Sequence, residues 1–190
     1  MMPRILFACL LATAIAFAGC AQIELAAPVA SIDNVQKAKA GGMARVSLGE
    51  FASADGRAPS AIERLSVRTN GILVPAGKSF ASYLRSSLAV ELEAAGLLDP
   101  SSSIVIDGVL TRNELDVPAG AASGSLAARF TVVRDGVKVF DKELGTTAAW
   151  HASFAAIEAV PSALNRYGLL HRTLVAQLLS DPEFRKATGR

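Results

Sequence analysis

The chain has 190 residues, a formal net charge of +2, two cysteines and two histidines. This length corresponds to one domain, which buries about 70% of its unfolded surface and needs neither a disulfide nor a metal for stability. Lys and Arg form no cluster, so we do not expect nucleic acid as a partner.

The N-terminus has the pattern of a secretory signal peptide. Arg4 precedes an uncharged run over residues 5–18, which is shorter than the about 20 residues of a membrane span. The run ends in Phe-Ala-Gly-Cys at residues 17–20, which resembles the bacterial lipobox with Phe17 at the usual Leu position. This resemblance implies removal of residues 1–19 and attachment of acyl chains, such as palmitate, to the sulfur and the amino group of Cys20.

Several acyl chains on Cys20 would suffice as a membrane anchor, because each buried methylene contributes about 0.8 kcal/mol. The alternative is an ordinary signal peptide that is cleaved after Ala18, with no role for Cys20. Removal of residues 1–19 takes Cys9 and Arg4 with it, which leaves a net charge of +1. The folded domain would then have no free thiol for a disulfide, a metal or nucleophilic catalysis.

The rest of the chain divides into a tether and a domain. We predict that residues 20–42 are the lipidated N-terminus and a flexible tether, and that residues 43–190 form a single domain. A tether of this length has an end-to-end distance of roughly 25 Å. Alternatively, part of it packs on the domain through Ile32 and Val35.

The first half of the domain is predicted to contain a strand and a helix. Residues 43–51 alternate in hydropathy as a strand does, and residues 62–69 form either a short strand or an extended crossing. Residues 79–95 form the clearest helix, with apolar residues at spacings of three and four. Ser79 is its expected N-cap, and Gly96 is expected to end it.

The second half is predicted to contain a hairpin and a second helix. Residues 104–115 form a strand, in which Asp107 and Gly108 indicate an edge or a bulge, and residues 117–124 form a loop. The runs 126–133 and 137–144 flank an Asp-Gly pair, which favours a type I′ hairpin turn. Pro161 is expected to open the last long helix, which ends at Asp181.

This order of elements predicts an α+β fold. Two amphipathic helices each require a surface to cover. The simplest arrangement is a two-layer sandwich, in which one mostly antiparallel sheet of about four strands carries both long helices on one face.

No residue pattern indicates catalysis or a metal. His151 and His171 have no acidic residue at metal-site spacing, so we expect both on helix or loop surfaces and predict no metal and no cofactor. No Gly-x-Ser-x-Gly motif is present. Trp150, His151 and Phe154 are the candidate partner contact, because aromatic residues are enriched at interface cores. The alternative is that Trp150 packs at the junction of sheet and helix.

The order of elements resembles small periplasmic lipoproteins, the YajG-like and lipopolysaccharide-assembly (LptE-like) families. The matching features cover roughly residues 43–185. They are the lipobox at Cys20, the helix that ends in Leu92-Glu-Ala-Ala-Gly96, the strand after it, the Asp135-Gly136 hairpin and the final helix that ends in Leu178-Leu-Ser-Asp181. The resemblance implies a role in envelope assembly or transport, and it carries over no functional residue.

Three functions are compatible with these features. The first is a non-enzymatic accessory lipoprotein that binds an envelope membrane protein. The second is a binding module for an amphiphile or a glycan, and the third is a hydrolase with a Ser or Asp beside His151. We favour the first, located at the outer membrane and facing the periplasm. Ala21 is not the aspartate that retains lipoproteins at the inner membrane in the enteric sorting rule.

Overall fold

The structure, a computed structural model, describes residues 22–54 and 61–190. The predicted signal peptide, Cys20, Ala21 and residues 55–60 lie outside these residues. The described helices and strands follow this order: β1 (Gln22–Glu24), α1 (Ile32–Ala40), β2 (Ser47–Ser53), β3 (Leu65–Val67), β4 (Asn70–Leu73), α2 (Phe80–Ala95), β5 (Ile104–Asp116), β6 (Gly120–Arg134), β7 (Val137–Ala152), α3 (Ala156–Ser180) and α4 (Pro182–Thr188).

The main sheet has the strand order β2-β5-β6-β7. β2 is parallel to β5, and the other two pairs are antiparallel. α2 packs on β2 and β5, whereas α3 packs on β6 and β7. This arrangement confirms the predicted α+β fold, with a mostly antiparallel four-stranded sheet and two long helices. A second sheet, with the order β1-β4-β3, was not predicted.

The hydrophobic core lies between the main sheet and the two long helices. Alternate residues of the strands, among them Ile106, Leu126 and Phe130, are fully buried on the face that the helices cover. Leu88 of α2 and Leu174 of α3 are fully buried opposite them. Burial of a large aliphatic or aromatic side chain contributes about 1.5–3 kcal/mol, so this layer supplies most of the stability.

The predicted helix over residues 79–95 is confirmed as α2. The Ser79 hydroxyl accepts a hydrogen bond from the Ser82 N–H at 3.1 Å, which caps the first turn. The helix ends at Gly96, as expected. Its apolar face is buried, as the spacing of residues 80, 84, 88 and 92 predicts.

The Asp-Gly hairpin is also confirmed, and it is longer than predicted. Asp135 and Gly136 have φ angles of 51° and 81°, the left-handed conformation that both central residues of a type I′ turn require. The two strands pair over their whole length, from Arg134 opposite Val137 to Gly120 opposite Ala152.

The loop predicted over residues 117–124 is wrong, because β6 already begins at Gly120. The small residues of this segment pair with β5 on one side and β7 on the other. Gly124 is needed there, since a Cβ atom at this position would approach Leu170 of α3 to 2.9 Å. The absence of large side chains therefore reflects close helix packing, and tertiary contacts override the weak strand propensity.

β5 is an internal strand, so Gly108 does not mark an edge. The other alternative, a bulge, agrees with the structure, because the pairing of β2 with β5 shifts register between Leu48 and Phe51, opposite Ile106 and Gly108. Gly108 lies under the aromatic ring of Phe51 from β2, and a Cβ atom there would lie 2.5 Å from that ring. The glycine therefore admits a neighbouring side chain.

The predicted flexible tether is wrong for residues 22–42. β1 pairs in parallel with β4, and α1 packs against both α2 and α3. The alternative, that part of this segment packs on the domain, is closer to the structure. However, the buried residues of α1 are Asn34 and Ala38, whereas Ile32 is 77% exposed.

The start of α3 also differs from the prediction. The helix begins at Ala156, so Pro161 lies inside it. Proline has no N–H to donate to the carbonyl four residues earlier, which here belongs to Ile157. This exposed first part of α3 therefore lacks one of its backbone hydrogen bonds.

Candidate functional site

The three residues of the predicted partner contact do not share one surface. Trp150 lies on β7 opposite Ala122, half-buried against the core, and its indole nitrogen has no hydrogen-bond partner among the described residues. His151 is the next residue of the strand and is exposed on the opposite face. Phe154 follows the strand and is 88% exposed. The position of Trp150 agrees with the alternative that it packs at the junction of sheet and helix.

Arg68 connects the segment around Phe154 to the small sheet. It lies in the turn between β3 and β4, with a φ angle of 56°. Its guanidinium donates to the carbonyls of Phe154 at 2.8 Å and Ser153 at 2.5 Å. A longer bond of 3.4 Å reaches the Val117 carbonyl in the turn between β5 and β6. One side chain therefore joins three connections at the same end of the molecule.

The described chain also begins at this end. Gln22 of β1 pairs with Gly71 of β4, and the two parallel strands start together beside the turn that contains Arg68. We call this region the Gln22 end; it comprises Gln22, residues 68–71, residues 117–119 and residues 153–157. The opposite end of the main sheet is the hairpin end, at residues 134–138. At about 3.3 Å per residue, the length of β6 separates the two ends by about 45 Å.

The Gln22 end carries two exposed apolar side chains. Phe154 is 88% exposed and Ile157 is 84% exposed. Among the large apolar side chains of the described residues, these are the two most exposed. Single exposed apolar residues are normal at a protein surface, but two that are three residues apart beside the chain entry form a patch.

β7 provides a second candidate surface, because it is an edge strand. Among the described residues, no strand pairs with its outer side. α4 packs beside the first half, where the Phe140 and Phe184 rings lie 5.6 Å apart and Lys142 binds Asp181 at 2.8 Å. The second half, residues 145–150, has the uncharged sequence Gly-Thr-Thr-Ala-Ala-Trp. An edge strand without charges is a template for pairing with another chain.

A groove separates the N-terminal segment from the long helices. We call residues 25–31 the strap; it runs from β1 across α2 and α3 to α1. The Leu25 N–H donates to the Leu73 carbonyl at 2.8 Å, and the Tyr83 hydroxyl donates to the Ala26 carbonyl at 2.9 Å. The groove has a volume of about 580 Å³, and its apolar lining includes Leu25, Val29, Tyr83, Pro161, Leu164 and Leu169.

A buried carboxylate holds the far end of the strap. Glu91 of α2 is only 2% exposed, and it accepts hydrogen bonds from the Ser31 N–H at 2.9 Å and the Asn34 side-chain amide at 3.1 Å. Asn34 also donates to the Arg172 carbonyl of α3 at 3.1 Å. Because a buried charge requires hydrogen-bond donors, this network ties the strap and α1 to both long helices.

His171 is buried between α2 and α3, which corrects the prediction of a surface histidine. It is 1% exposed, and its ring lies edge-on between those of Tyr83 and Tyr167, at centroid distances of 4.9 and 4.7 Å. Nδ1 lies 3.2 Å from the Tyr167 carbonyl, and Nε2 has no partner among the described residues. Burial lowers the pKa of His171 to about 4, so the ring is neutral at neutral pH.

The described residues contain no group of three or more His, Cys, Asp or Glu side chains that could bind a metal. His151 and His171 are separated by the thickness of the sheet, since one is exposed on the outer face and the other is in the core. Within residues 22–54 and 61–190, no helix combines the length and the apolar character that a membrane span requires.

A scan of protein-family models and a search of curated proteins found no match to this chain. Protein XCC0632 from Xanthomonas campestris, a DUF330 protein, has a similar crystal structure, with 14% identity and a TM-score of 0.55 over 83% of this chain and 94% of that one. At this identity the similarity shows the fold alone.

Two further structures are similar at a lower level. They are the hypothetical protein CT253 from Chlamydia trachomatis, with 13% identity and a TM-score of 0.48 over 74% of this chain and 96% of that one, and a minor lipoprotein from Acinetobacter baumannii. The latter has 14% identity and a TM-score of 0.38, over 76% of this chain and 89% of that one. The similar structures thus include a bacterial lipoprotein.

Proposed function

We propose that this chain is a bacterial lipoprotein that is acylated at Cys20 and held at the periplasmic face of the outer membrane. The observation that carries the proposal is the apolar run that ends in Phe-Ala-Gly-Cys at residues 17–20. Its role is non-enzymatic: it acts as an accessory subunit in envelope assembly or transport. The resemblance to the YajG-like and LptE-like families supports this role.

The outer edge of β7 is the proposed contact for a protein partner. Residues 145–150 are uncharged, and no strand within residues 22–54 and 61–190 pairs with them on that side, so an extended segment of another chain can add to the sheet through main-chain hydrogen bonds. This part of β7 runs towards the Gln22 end, next to the anchor, which favours a partner in the same membrane. Trp150 and His151 lie at the end of this stretch, and Phe154 follows it.

The anchor is tested by the substitution Cys20→Ser in the full chain. The wild-type protein is expected to fractionate with outer membranes, and the mass of its N-terminal peptide should include the acyl groups. The Cys20→Ser protein should be released from the membrane fraction. If it stays with the membrane, the lipoprotein proposal is wrong.

The partner contact is tested by placing a charge on the edge strand. Thr147→Lys puts a lysine on the outer half of β7, where it should prevent strand addition and abolish cross-linking to the partner. Thr131→Lys, on the internal strand β6, is the matched control and should retain the cross-link. Equal cross-linking by both variants would exclude the β7 edge as the contact.

The groove beneath the strap favours a second candidate function, the binding of an amphiphile. Its apolar lining and its volume of about 580 Å³ suit an acyl chain or a similar group. A bound amphiphile should co-purify with the protein and raise its melting temperature. Leu164→Trp fills the groove and should remove both effects, while the exposed Gln177→Trp on the same helix should retain them. If no amphiphile co-purifies, this candidate fails.

A further inference from the structure

We propose that the Gln22 end of the domain lies directly against the bilayer, with Phe154 and Ile157 in the boundary between lipid headgroups and acyl chains. This inference rests on the proposed acylation of Cys20. It goes beyond an anchor, because it assigns a second, non-covalent membrane contact and fixes the orientation of the domain.

The first argument is the length of chain between the lipid and the fold. Only Ala21 separates Cys20 from Gln22, so their Cα atoms are at most about 7 Å apart. Gln22 already belongs to β1, and Ile23 of the same strand packs against the core. No free segment therefore remains that could hold the domain away from the bilayer, in contrast to the predicted tether of residues 20–42.

The second argument is the position of the apolar patch relative to this entry point. β1 and β4 are parallel and start together, which places Gln22 beside the turn that contains Arg68. The Arg68 guanidinium binds the Phe154 carbonyl at 2.8 Å. Phe154 and Ile157, the second residue of α3, are therefore at the end of the molecule from which the chain leaves towards Cys20.

The third argument is the chemistry of the patch. Phe154 and Ile157 are 88% and 84% exposed, and apolar side chains of this type bind about 5–10 Å deep at the boundary of headgroups and acyl chains. The described charged side chains at the same end do not form a basic cluster, since Asp116 and Glu158, which adjoin Val117 and Ile157 in the chain, are exposed there. The contact is therefore apolar, and we expect it on zwitterionic lipid and at high salt.

The experiment uses the full lipidated protein, purified in detergent and reconstituted into vesicles of phosphatidylcholine and phosphatidylethanolamine. The acylated Cys20 has no free thiol, so a cysteine introduced into the folded domain is the sole site for a fluorescent label. Phe154→Cys places the label in the patch. Val137→Cys is the matched control, because Val137 is also apolar and 63% exposed but lies at the hairpin end. Mass spectrometry of the N-terminal peptide establishes acylation in the same sample.

Brominated lipids are expected to quench the label at position 154 at least about threefold more than the label at position 137, since bromine on the acyl chains quenches only at short range. Quenching at 154 should persist in 1 M salt. Hydrogen exchange of unlabelled protein should show slower exchange at residues 153–157 in vesicles than in the Cys20→Ser protein.

Three outcomes would overturn the inference. If the protein is acylated, both labels remain unquenched, and residues 153–157 of the unlabelled protein exchange as fast in vesicles as in the Cys20→Ser protein, the domain does not dock, although the anchor stands. If residues 153–157 exchange hydrogen equally slowly in the vesicle-free Cys20→Ser protein, and more slowly still at higher protein concentration, another copy of the chain covers the patch. If Cys20 carries no lipid, the proposed anchor fails and the docking fails with it.

Discussion

The two ends of the main sheet are built differently. At the Gln22 end, the connections are joined by one guanidinium that binds main-chain carbonyls, and the exposed apolar side chains are large. Near the hairpin end, on the adjoining parts of β6 and β7, charged side chains pair with each other: Asp141 binds Arg129 at 2.5 Å and Lys138 at 2.7 Å. Val137 and Val139 are exposed there too, but they flank Lys138 on the strand.

This difference agrees with the proposed orientation, in which the hairpin end faces water. Pairs of exposed charges require solvent around them and add little stability, so they suit a surface that stays hydrated. At the Gln22 end, the half-buried Arg68 satisfies the main-chain carbonyls, and the large exposed side chains are apolar. Such a surface suits contact with lipid. Along the axis of its longest strands, the domain thus has paired charges towards one end and its two most exposed large apolar side chains at the other.

The largest loss of stability is expected from a substitution that breaks the link between the strap and the long helices. Glu91→Ala leaves the Ser31 N–H without an acceptor and removes one of the two acceptors of Asn34. We expect the free energy of unfolding to fall by about 2–4 kcal/mol, because buried donors lose a charged partner. Urea unfolding measures this, and hydrogen exchange should become faster in the strap, which would then behave as the predicted tether.

Glu93→Ala is the matched control, because Glu93 is exposed on the same helix. Its unfolding curve should remain close to that of the wild type. Similar losses for Glu91→Ala and Glu93→Ala would contradict the role of the buried network.

The next effect concerns the core between the two ends. The pKa of His171 is about 4 in the folded protein, against an ordinary value near 6.5 in the unfolded chain. Between these two values the unfolded chain binds more protons, so the free energy of unfolding falls as the pH decreases from 6.5 to 4. The loss should amount to about 3 kcal/mol at most, and urea unfolding at a series of pH values measures it.

His171→Leu should flatten this pH dependence, because the titrating group is removed from the core. The exposed His151→Gln should retain it. If the His171→Leu protein keeps the wild-type slope between pH 6.5 and 4, the acid sensitivity comes from other groups.

A smaller loss of stability is expected when the hydrogen bonds of Arg68 at the Gln22 end are removed. Arg68→Ala removes the three hydrogen bonds to carbonyls but keeps a residue that has the same difficulty with a positive φ angle. We expect a loss of about 1–2 kcal/mol in the free energy of unfolding, since the bonds involve a charged donor at a half-buried position. Arg166→Ala on the exposed face of α3 is the control and should have almost no effect. Equal losses would mean that Arg68 does not hold this end together.

The smallest effect on stability is expected for the charge pairs near the hairpin end. Hydrogen bonds from Arg129 and Lys138 lower the pKa of Asp141 to about 2. Its contribution to stability is therefore present above the ordinary carboxyl pKa and is lost as the pH falls towards 2. Because both cationic partners of Asp141 are exposed to solvent, which screens the pairs, Asp141→Asn should give an unfolding curve at pH 7 that overlays the wild type in 0.5 M salt. A clear shift would show that the charged end contributes to the fold.

The parts of the fold that local sequence signals determine were predicted correctly. The serine cap and the regular apolar spacing of α2 act within a few residues, as does the Asp-Gly turn of the hairpin. Such signals can be detected without knowledge of the rest of the chain. The stop of α3 at Asp181 is of the same kind, because the Asp181 carboxylate accepts from the N–H groups of the next helix.

The parts that depend on distant residues were missed. α1 has a weak apolar face, and its main buried contact joins Asn34 to Glu91, 57 residues away. The segment at residues 120–124 lacks bulky side chains because Leu170 of α3 packs against Gly124. Neither partner can be identified from local spacing. The burial of His171 was missed for the same reason, since the tyrosine rings around it come from two different helices.

The candidate site was predicted only in part. The aromatic composition of residues 150–154 pointed to this region, but strand alternation separates Trp150 from His151. The sequence does contain a signal for this surface, in the connection that follows the end of β7. Phe154 and Ile157 are large apolar residues on either side of the start of α3, where a solvent-exposed connection is normally polar.

The parallel pairing of β1 with β4 has a mechanical consequence. A pull on Cys20 along the axis of β1 loads the pairs from Gln22–Gly71 to Glu24–Leu73 in shear, so that they must break together and not one after another. The strap behind them is fastened by Tyr83 and Glu91, which share the load with α2. With Cys20 acylated as proposed, tension from the membrane would be transmitted into the helical layer, and the domain should resist extraction by its anchor better than one that hangs from a loose linker.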